Sequence, residues 1–463
     1  NHWIGSAPCM PARRDIMCGR YNFLERPWGP IEPFDATLVD GLRAGGTYTC
    51  IKTDHCHYAR TGGEGYLQLF NSWELFRGQE GDPWVSRIDE PDNMPETFYG
   101  RVREQYQKNR AKWPREEDMP SPRTFRAACD FIEENAENDD FFLMVEAFDP
   151  HEPFDVPDRY MDMYGGAEGL DRDYFEIPPY RRVSETDIPE GAIEYVQRRY
   201  KALVTCTDHW FGTLIDALKA RGIYDDTMIL VTTDHGYFLG DRDYLGKNYM
   251  HLYNELAHLP FIVHFPGGAR AGERAGQLTQ AIDIMPTLLD AYGCEVPSSV
   301  RGTSLMPLMT GIVHASASST TAPTRDYALY GVHAMTVNVT DGRYTYFRAP
   351  VPGNRPCYEY AAIPHTIRKK MGTDCVDDIE MGRFLSWTDY PVYRTGTMPR
   401  SITWRGRMPL PRIAWSRCCD AASSSTTRPP SNSTAWASPR LARPYRTGSY
   451  TTGRLRGHPH HRR

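Results

Sequence analysis

Three short apolar runs punctuate the first two thirds of the chain. Phe141–Phe148 (FFLMVEAF) sits between the acids Asp139 and Asp140 and the pair Asp149-Pro150. Thr227–Thr233 (TMILVTT) runs into Asp234-His235-Gly236, and Leu259–Phe265 (LPFIVHF) closes on Pro266-Gly267-Gly268. Short apolar runs bounded by turn formers predict buried strands. Between the first two, Ile193–Ala220 places Leu203, Phe211, Leu214, Ile215 and Leu218 at near-helical spacing, and Ile282–Tyr292 is a second amphipathic stretch. Strand, long helix, strand predicts an α/β fold with a mostly parallel central sheet covered by helices. Such sheets gather their chemistry in loops at the carboxyl ends of the strands, where Asp149–His151 and Asp234–His235 fall.

The pattern changes after residue 310. Tyr327–Val339 alternates loosely, Thr340-Asp341-Gly342 supplies a turn, and Arg343–Arg348 (RYTYFR) alternates again, which predicts a β-hairpin in a smaller antiparallel subdomain. Beyond about Tyr393 the periodicity stops in a Ser-, Thr-, Pro- and Arg-rich tail with runs such as Ala421–Thr427. The expected division is therefore a catalytic α/β domain over 1–310, a small α+β subdomain over 311–390, and a disordered or miscoded tail over 391–463.

Composition narrows the function classes. With 463 residues, 40% hydrophobic and 24% charged, the chain reads as a globular protein able to bury a core without disulfides. No run approaches the ~18 apolar residues of a membrane span. The tail from Pro391 holds fourteen Arg and one acid, Asp420, so it carries +13 and leaves residues 1–390 at −19 within the total of −6. A domain this acidic is a poor general binder of nucleic acid and favours a local basic pocket. Eleven scattered cysteines, two of them adjacent at Cys418 and Cys419, predict no disulfide framework and a reducing, cytoplasmic setting.

Four constellations carry chemistry. Cys9-Met10-Pro11-Ala12-Arg13 is extended by Gly19-Arg20. Pro11 suits a first helical turn, where free amides attract anions, and Arg13 adds a permanent charge. Read plainly, it is a structural Cys in a Pro-containing turn. Asp234-His235-Gly236 is followed by Gly246-Lys247; adjacent carboxylate and imidazole can share a divalent ion, although capped turns use the same residues. Asp149-Pro150-His151-Glu152-Pro153 places a His in a loop that two prolines should hold extended. Lys52-Thr53-Asp54-His55-Cys56-His57 contains a His-x-His that suits a metal pair or a structural cluster.

Together, in this order over roughly residues 1–390, these motifs resemble the sulfatases of the alkaline phosphatase superfamily. The run Gly78-Gln79-Glu80-Gly81-Asp82-Pro83-Trp84 is similar to bacterial members. Asp283-Ile284-Met285-Pro286-Thr287-Leu288-Leu289-Asp290 and Gly302-Thr303-Ser304-Leu305 resemble the helix and loop that close the main domain. The resemblance implies a hydrolase of sulfuric esters, acting on a small-molecule or carbohydrate sulfate. It implies that a maturation enzyme converts Cys9 to formylglycine, and that Cys9, Asp234 and His235 hold a divalent metal, calcium first, with manganese or magnesium as alternatives. Arg13, Lys247 and either His55 or His57 would bind sulfate, and His151 would protonate the leaving group. A phosphonate monoester or phosphodiester hydrolase of the same superfamily and a non-catalytic binding homologue are the alternative readings. Family members take two further metal ligands from an Asp-Asp-type sequence after a first strand upstream of the cysteine. Asn1 is followed at once by motif-bearing sequence, so that strand is expected upstream of the sequence in hand, and this stretch alone is expected to hold the metal weakly.

Overall fold

The computed structural model describes residues 1–362 apart from 171–174, 249, 311–324, 353 and 355–357, together with the backbone of Glu380–Gly382 and Val392–Gly396. Asn1–Thr427 form one compact unit and Arg428–Arg463 a second. The expected tail beyond Gly396, the second unit and the start of the expected subdomain at 311–324 lie outside the described residues.

Tyr48–Thr53 lies at the centre of a three-stranded parallel sheet, flanked by Ser72–Leu75 and Phe141–Glu146. The six-residue strand Phe141–Glu146 points its side chains alternately to two layers of helix. Phe141, Leu143 and Val145 join Phe125, Ala128, Phe131 and Ile132 of the Pro120–Asn135 helix and Leu214 and Leu218 of the 29-residue helix Ala192–Ala220. Phe142 and Met144 face the other way, toward Met10 and Met17 of helix Cys9–Cys18, Val39 of helix Leu38–Ala44, and Met285 and Leu289 of helix Ile284–Ala291. A strand covered on both faces needs apolar residues at successive positions, which is why FFLMV reads as a continuous run. Each buried Phe or Ile contributes about 1.5–3 kcal/mol.

The remaining strands are shorter and mostly antiparallel. Ile229–Thr232 pairs with Phe261–His264, and His2–Trp3 lies parallel to Thr279–Gln280 and antiparallel to His258–Leu259. Pro260, which has no N–H to donate, separates His258–Leu259 from Phe261–His264 within what the sequence presents as one run. Among the described residues no strand pairs with the free edge of Phe141–Glu146 or of Ile229–Thr232, and every side chain of both is half-buried.

The small sheet is three-stranded. Ala328–Gly331, Val337–Thr340 and Thr345–Arg348 form a meander with Thr340 opposite Thr345. The expected hairpin turn at Thr340-Asp341-Gly342 runs on through Tyr344, where Asp341 Oδ1 accepts from the amides of both Arg343 (2.9 Å) and Tyr344 (2.7 Å). Ala328 and Tyr330 pack with Trp3, Ile4 and Leu256, so this sheet shares the core of the main body. Among the described residues no helix is long and apolar enough to cross a membrane.

Candidate active site

Cys9 is the first residue of helix Cys9–Cys18, with Pro8 as its N-cap and Pro11 inside the first turn, where a missing N–H costs nothing. The helix ends at Gly19, whose φ of 62° is the left-handed conformation that glycine adopts freely. Arg14 and Arg20 turn away from the cysteine into a buried cluster with Glu25 and Asp35. The Gly-Arg extension therefore seats the helix and does not enter the site.

Arg13 points the other way. Its guanidinium pairs with Glu146, the last residue of its strand, and with Asp234, two residues beyond the Ile229–Thr232 strand. Burial would raise the Asp234 carboxyl, but His235, Arg13 and Lys247 outweigh it and hold it far below the ordinary carboxylate range. His235 donates through Nδ1 to the Gly236 carbonyl at 2.8 Å, since a carbonyl can only accept. That fixes the tautomer and leaves Nε2, 3.2 Å from Cys9 Sγ and 3.5 Å from Asp234 Oδ2, with a free lone pair. The next position must be glycine, because a Cβ at Gly236 would sit 1.9 Å from the Glu255 carbonyl oxygen.

Lys247 completes the centre. Its Nζ lies 3.9 Å from Cys9 Sγ, 2.5 Å from His151 Nε2 and 3.5 Å from Glu152 Oε2, and the residue is 4% exposed. Burial lowers its pKa, but Cys9, Glu152 and Asp234 raise it further, so it stays an ammonium. His151 stands in a tight turn, with its amide bonded to the Phe148 carbonyl at 3.0 Å. This corrects the extended loop expected from the two prolines; Phe154 turns back onto the His151 carbonyl at 3.4 Å.

The two histidines after Tyr48–Thr53 pack edge to face, with ring centroids 4.9 Å apart, but meet different partners. His55 is fully buried against Phe148, and both its ring nitrogens lack a hydrogen-bond partner. Burial, Arg13 and His151 all push its pKa down, so its ring is neutral. His57 instead faces Glu80 at 3.3 Å, which Arg60 and Arg103 also engage. Lys52 points outward to Glu74 at 3.0 Å. The structure thus brings Cys9, Arg13, Asp234, His235, Lys247 and His151 together, adds His55 at their edge, and turns His57 aside.

Several contributors carry no motif. Glu146 is a lone acid in an apolar strand, and that mismatch was its only sequence signal. Asp54 and Asp149 form a buried carboxylate pair bridged by Gln79 Nε2 (2.8 and 3.4 Å) and tied to Ser121 Oγ, which donates to Asp54 at 2.6 Å. Asp54 also accepts the Phe148 amide at 2.7 Å, so it links the His55 segment to the turn that carries His151. Burial, and secondly Asp54, push the Asp149 carboxyl well up.

Cys9 Sγ, an Asp234 carboxylate oxygen and a His235 ring nitrogen lie within 4.8 Å of one another. Sulfur with oxygen and imidazole suits a divalent ion, and an oxygen at position 9 would make the set harder. Three donors fit as one part of a coordination shell. A second group, Cys56, His57 and Glu80, has similar spacing, but Arg60 and Arg103 already neutralise its carboxylate.

The profile of the Sulfatase family matches residues 1–294, well over half of the chain. The chain belongs to the sulfatase family. Among curated relatives, an N-acetylglucosamine-6-O-sulfatase of Bacteroides thetaiotaomicron is 37% identical over 24% of this chain and 20% of its own length. A multifunctional alkaline phosphatase superfamily protein of Trinickia caryophylli is 30% identical over 67% of this chain and 68% of its own. The chain thus spans between a fifth and about two thirds of these two relatives. Its fold matches that of the phosphonate monoester hydrolase of Agrobacterium radiobacter, with a TM-score of 0.57 at 20% identity, covering 75% of this chain and 79% of that one. The sulfatase family in general works with a divalent metal and a formylglycine.

Proposed function

We propose that this chain carries the catalytic centre of a sulfuric ester hydrolase acting on a sulfate monoester of a carbohydrate or an aryl alcohol. One observation carries the reading: Cys9, at a helix start, lies within 4 Å of both His235 Nε2 and Lys247 Nζ, and Lys247 in turn touches His151. The relative named for N-acetylglucosamine-6-O-sulfate supports a sugar ester.

Cys9 would serve as formylglycine made by a maturation enzyme, and its hydrated aldehyde supplies the attacking oxygen. A divalent cation, calcium first, would be held by Asp234, Nε2 of His235 and position 9, and it supplies charge that favours an ionised oxygen. The chain's own groups do the rest. Lys247 and Arg13 flank position 9 with fixed positive charge and can hold the sulfate oxygens. The helix start directs amides to the same side. His55, neutral and buried with two free ring nitrogens, offers one more polar edge to the sulfate. As the S–O bond to the alcohol breaks, the departing oxygen takes a proton from Nε2 of His151.

The test has two arms. In full-length protein produced alongside a maturation enzyme, the Cys9 peptide should weigh about 18 Da less than the thiol form. Cys9→Ala should abolish hydrolysis of 4-nitrophenyl sulfate. An unmodified Cys9, or an unchanged rate in the Ala variant, overturns the proposal; faster turnover of an aryl phosphonate ester than of the sulfate moves the reaction to phosphorus.

A further inference from the structure

Glu152 is a carboxylate of the site that the reaction as written does not use. Glu152 is 1% exposed, deeper than the histidine it follows. Its Oε1 accepts from the Tyr180 hydroxyl, its Oε2 lies 3.2 Å from His151 Nδ1 and 3.5 Å from Lys247 Nζ, and its main-chain carbonyl lies 2.7 Å from the same Nδ1. Burying a carboxylate this completely is costly unless a function or a full set of partners offsets it.

The carbonyl decides the tautomer. A carbonyl oxygen only accepts, so Nδ1 of His151 carries a proton. Nε2 then faces Lys247 with a lone pair and receives a hydrogen bond from the ammonium. To give a proton to a departing alcohol, Nε2 must first take one up from water, and the ring becomes a cation inside a buried site that already holds Lys247 and Arg13. The Glu152 carboxylate, whose Oε2 lies 3.2 Å from Nδ1 and 3.5 Å from Lys247 Nζ, is the charge that makes this cation tolerable. An acid beside a histidine stabilises its charged form in the same way in other sites.

We infer that Glu152 is a positioning residue for leaving-group departure, acting through His151 and not on the substrate. The inference rests on the hydrolase reading above. A residue in this role matters when the leaving alcohol is a poor one that needs a proton, as a sugar hydroxyl is. It matters little when the leaving group departs readily as an anion, as 4-nitrophenolate does. A residue that merely held the fold would affect both substrates alike.

The experiment compares Glu152→Gln with the parent, both full-length and matured, on a monosaccharide sulfate and on 4-nitrophenyl sulfate. On the sugar ester kcat should fall about 10- to 100-fold, the scale for losing the outer partner of a functional histidine. On the nitrophenyl ester it should change by less than about threefold, with KM little altered on both. Gln keeps the size of the side chain and a hydrogen bond to Tyr180. The double variant with His151→Ala supplies a second measurement: it should be no slower on the sugar ester than His151→Ala alone, because a residue acting through a removed partner has nothing left to do. Equal losses on the two esters, no loss on the sugar ester, or losses that multiply in the double variant overturn the inference while leaving the hydrolase reading intact. A parent that cleaves neither ester overturns both.

Discussion

Replacing Asp35 with Asn asks whether the helix that begins at Cys9 is held from behind by a closed charge cluster. Asp35 has a fully buried side chain and takes hydrogen bonds from Arg14 Nε (2.9 Å), Arg14 Nη2 (2.6 Å), Arg20 Nη2 (2.6 Å) and the Glu32 amide (2.9 Å). Arg14 and Arg20 are balanced by Glu25 and Asp35, so the Asn variant leaves one buried cation without a counter-charge. Three charge-assisted bonds at about 1.5–3 kcal/mol each set the upper bound. Glu25 still engages both arginines and Asn keeps one acceptor, so the loss should fall at about 3–5 kcal/mol, the range for breaking a buried pair on one side. The pH dependence follows from the direction of the shift. Burial raises the Asp35 carboxyl, but Arg14 and Arg20 outweigh it and hold the group far below its ordinary value. Its stabilisation is therefore complete above the unfolded value of about 3.9 and is lost only as pH falls through the depressed folded value. Urea unfolding followed by tryptophan fluorescence at pH 5, 6.5 and 8 should show the same gap between parent and variant at all three. A loss under about 1 kcal/mol, or a gap that shrinks between pH 8 and pH 5, would refute the reasoning.

Other perturbations probe separate parts. His151→Ala should slow hydrolysis of a sugar sulfate about 10²- to 10⁴-fold, the scale of general acid catalysis, and an unchanged kcat removes His151 from that role. Gly19→Ala should cost about 1–2 kcal/mol, because φ is 62° and the new Cβ would lie 2.8 Å from Val300 Cγ1; an unshifted urea midpoint would show that the helix end is not so constrained. Asp149 has a raised carboxyl pKa, so the folded state binds more protons and stability falls as pH rises from the unfolded value through the folded one; Asp149→Asn should flatten that decline, and an identical slope in parent and variant argues against it. Exhaustive chelation should abolish ester cleavage and added calcium should restore it, whereas turnover that survives chelation removes the metal from the mechanism.

What the chain's order of residues settled is local. Turn formers after apolar runs marked the carboxyl ends of strands, and Asp234, His235 and His151 were legible there because loops at those ends are where a covered sheet meets solvent. The Pro11 and Gly19 positions marked one helix start and end, since a fixed φ and a left-handed φ are properties of single residues. Lys247 stood out only through the resemblance to the sulfatase pattern. What tertiary packing decided is which charges meet. Glu146 and Glu152 looked like an interruption in an apolar strand and a loop acid, and only the approach of helix Cys9–Cys18 and Lys247 made them site residues. His55 and His57 are two positions apart, yet one is buried against Phe148 without a hydrogen-bond partner and the other faces Glu80. Sequence neighbours share a backbone direction and not an electrostatic environment. That environment is set by residues brought in from other segments of the chain, through burial and Coulomb interaction over a few ångströms, which no local pattern encodes.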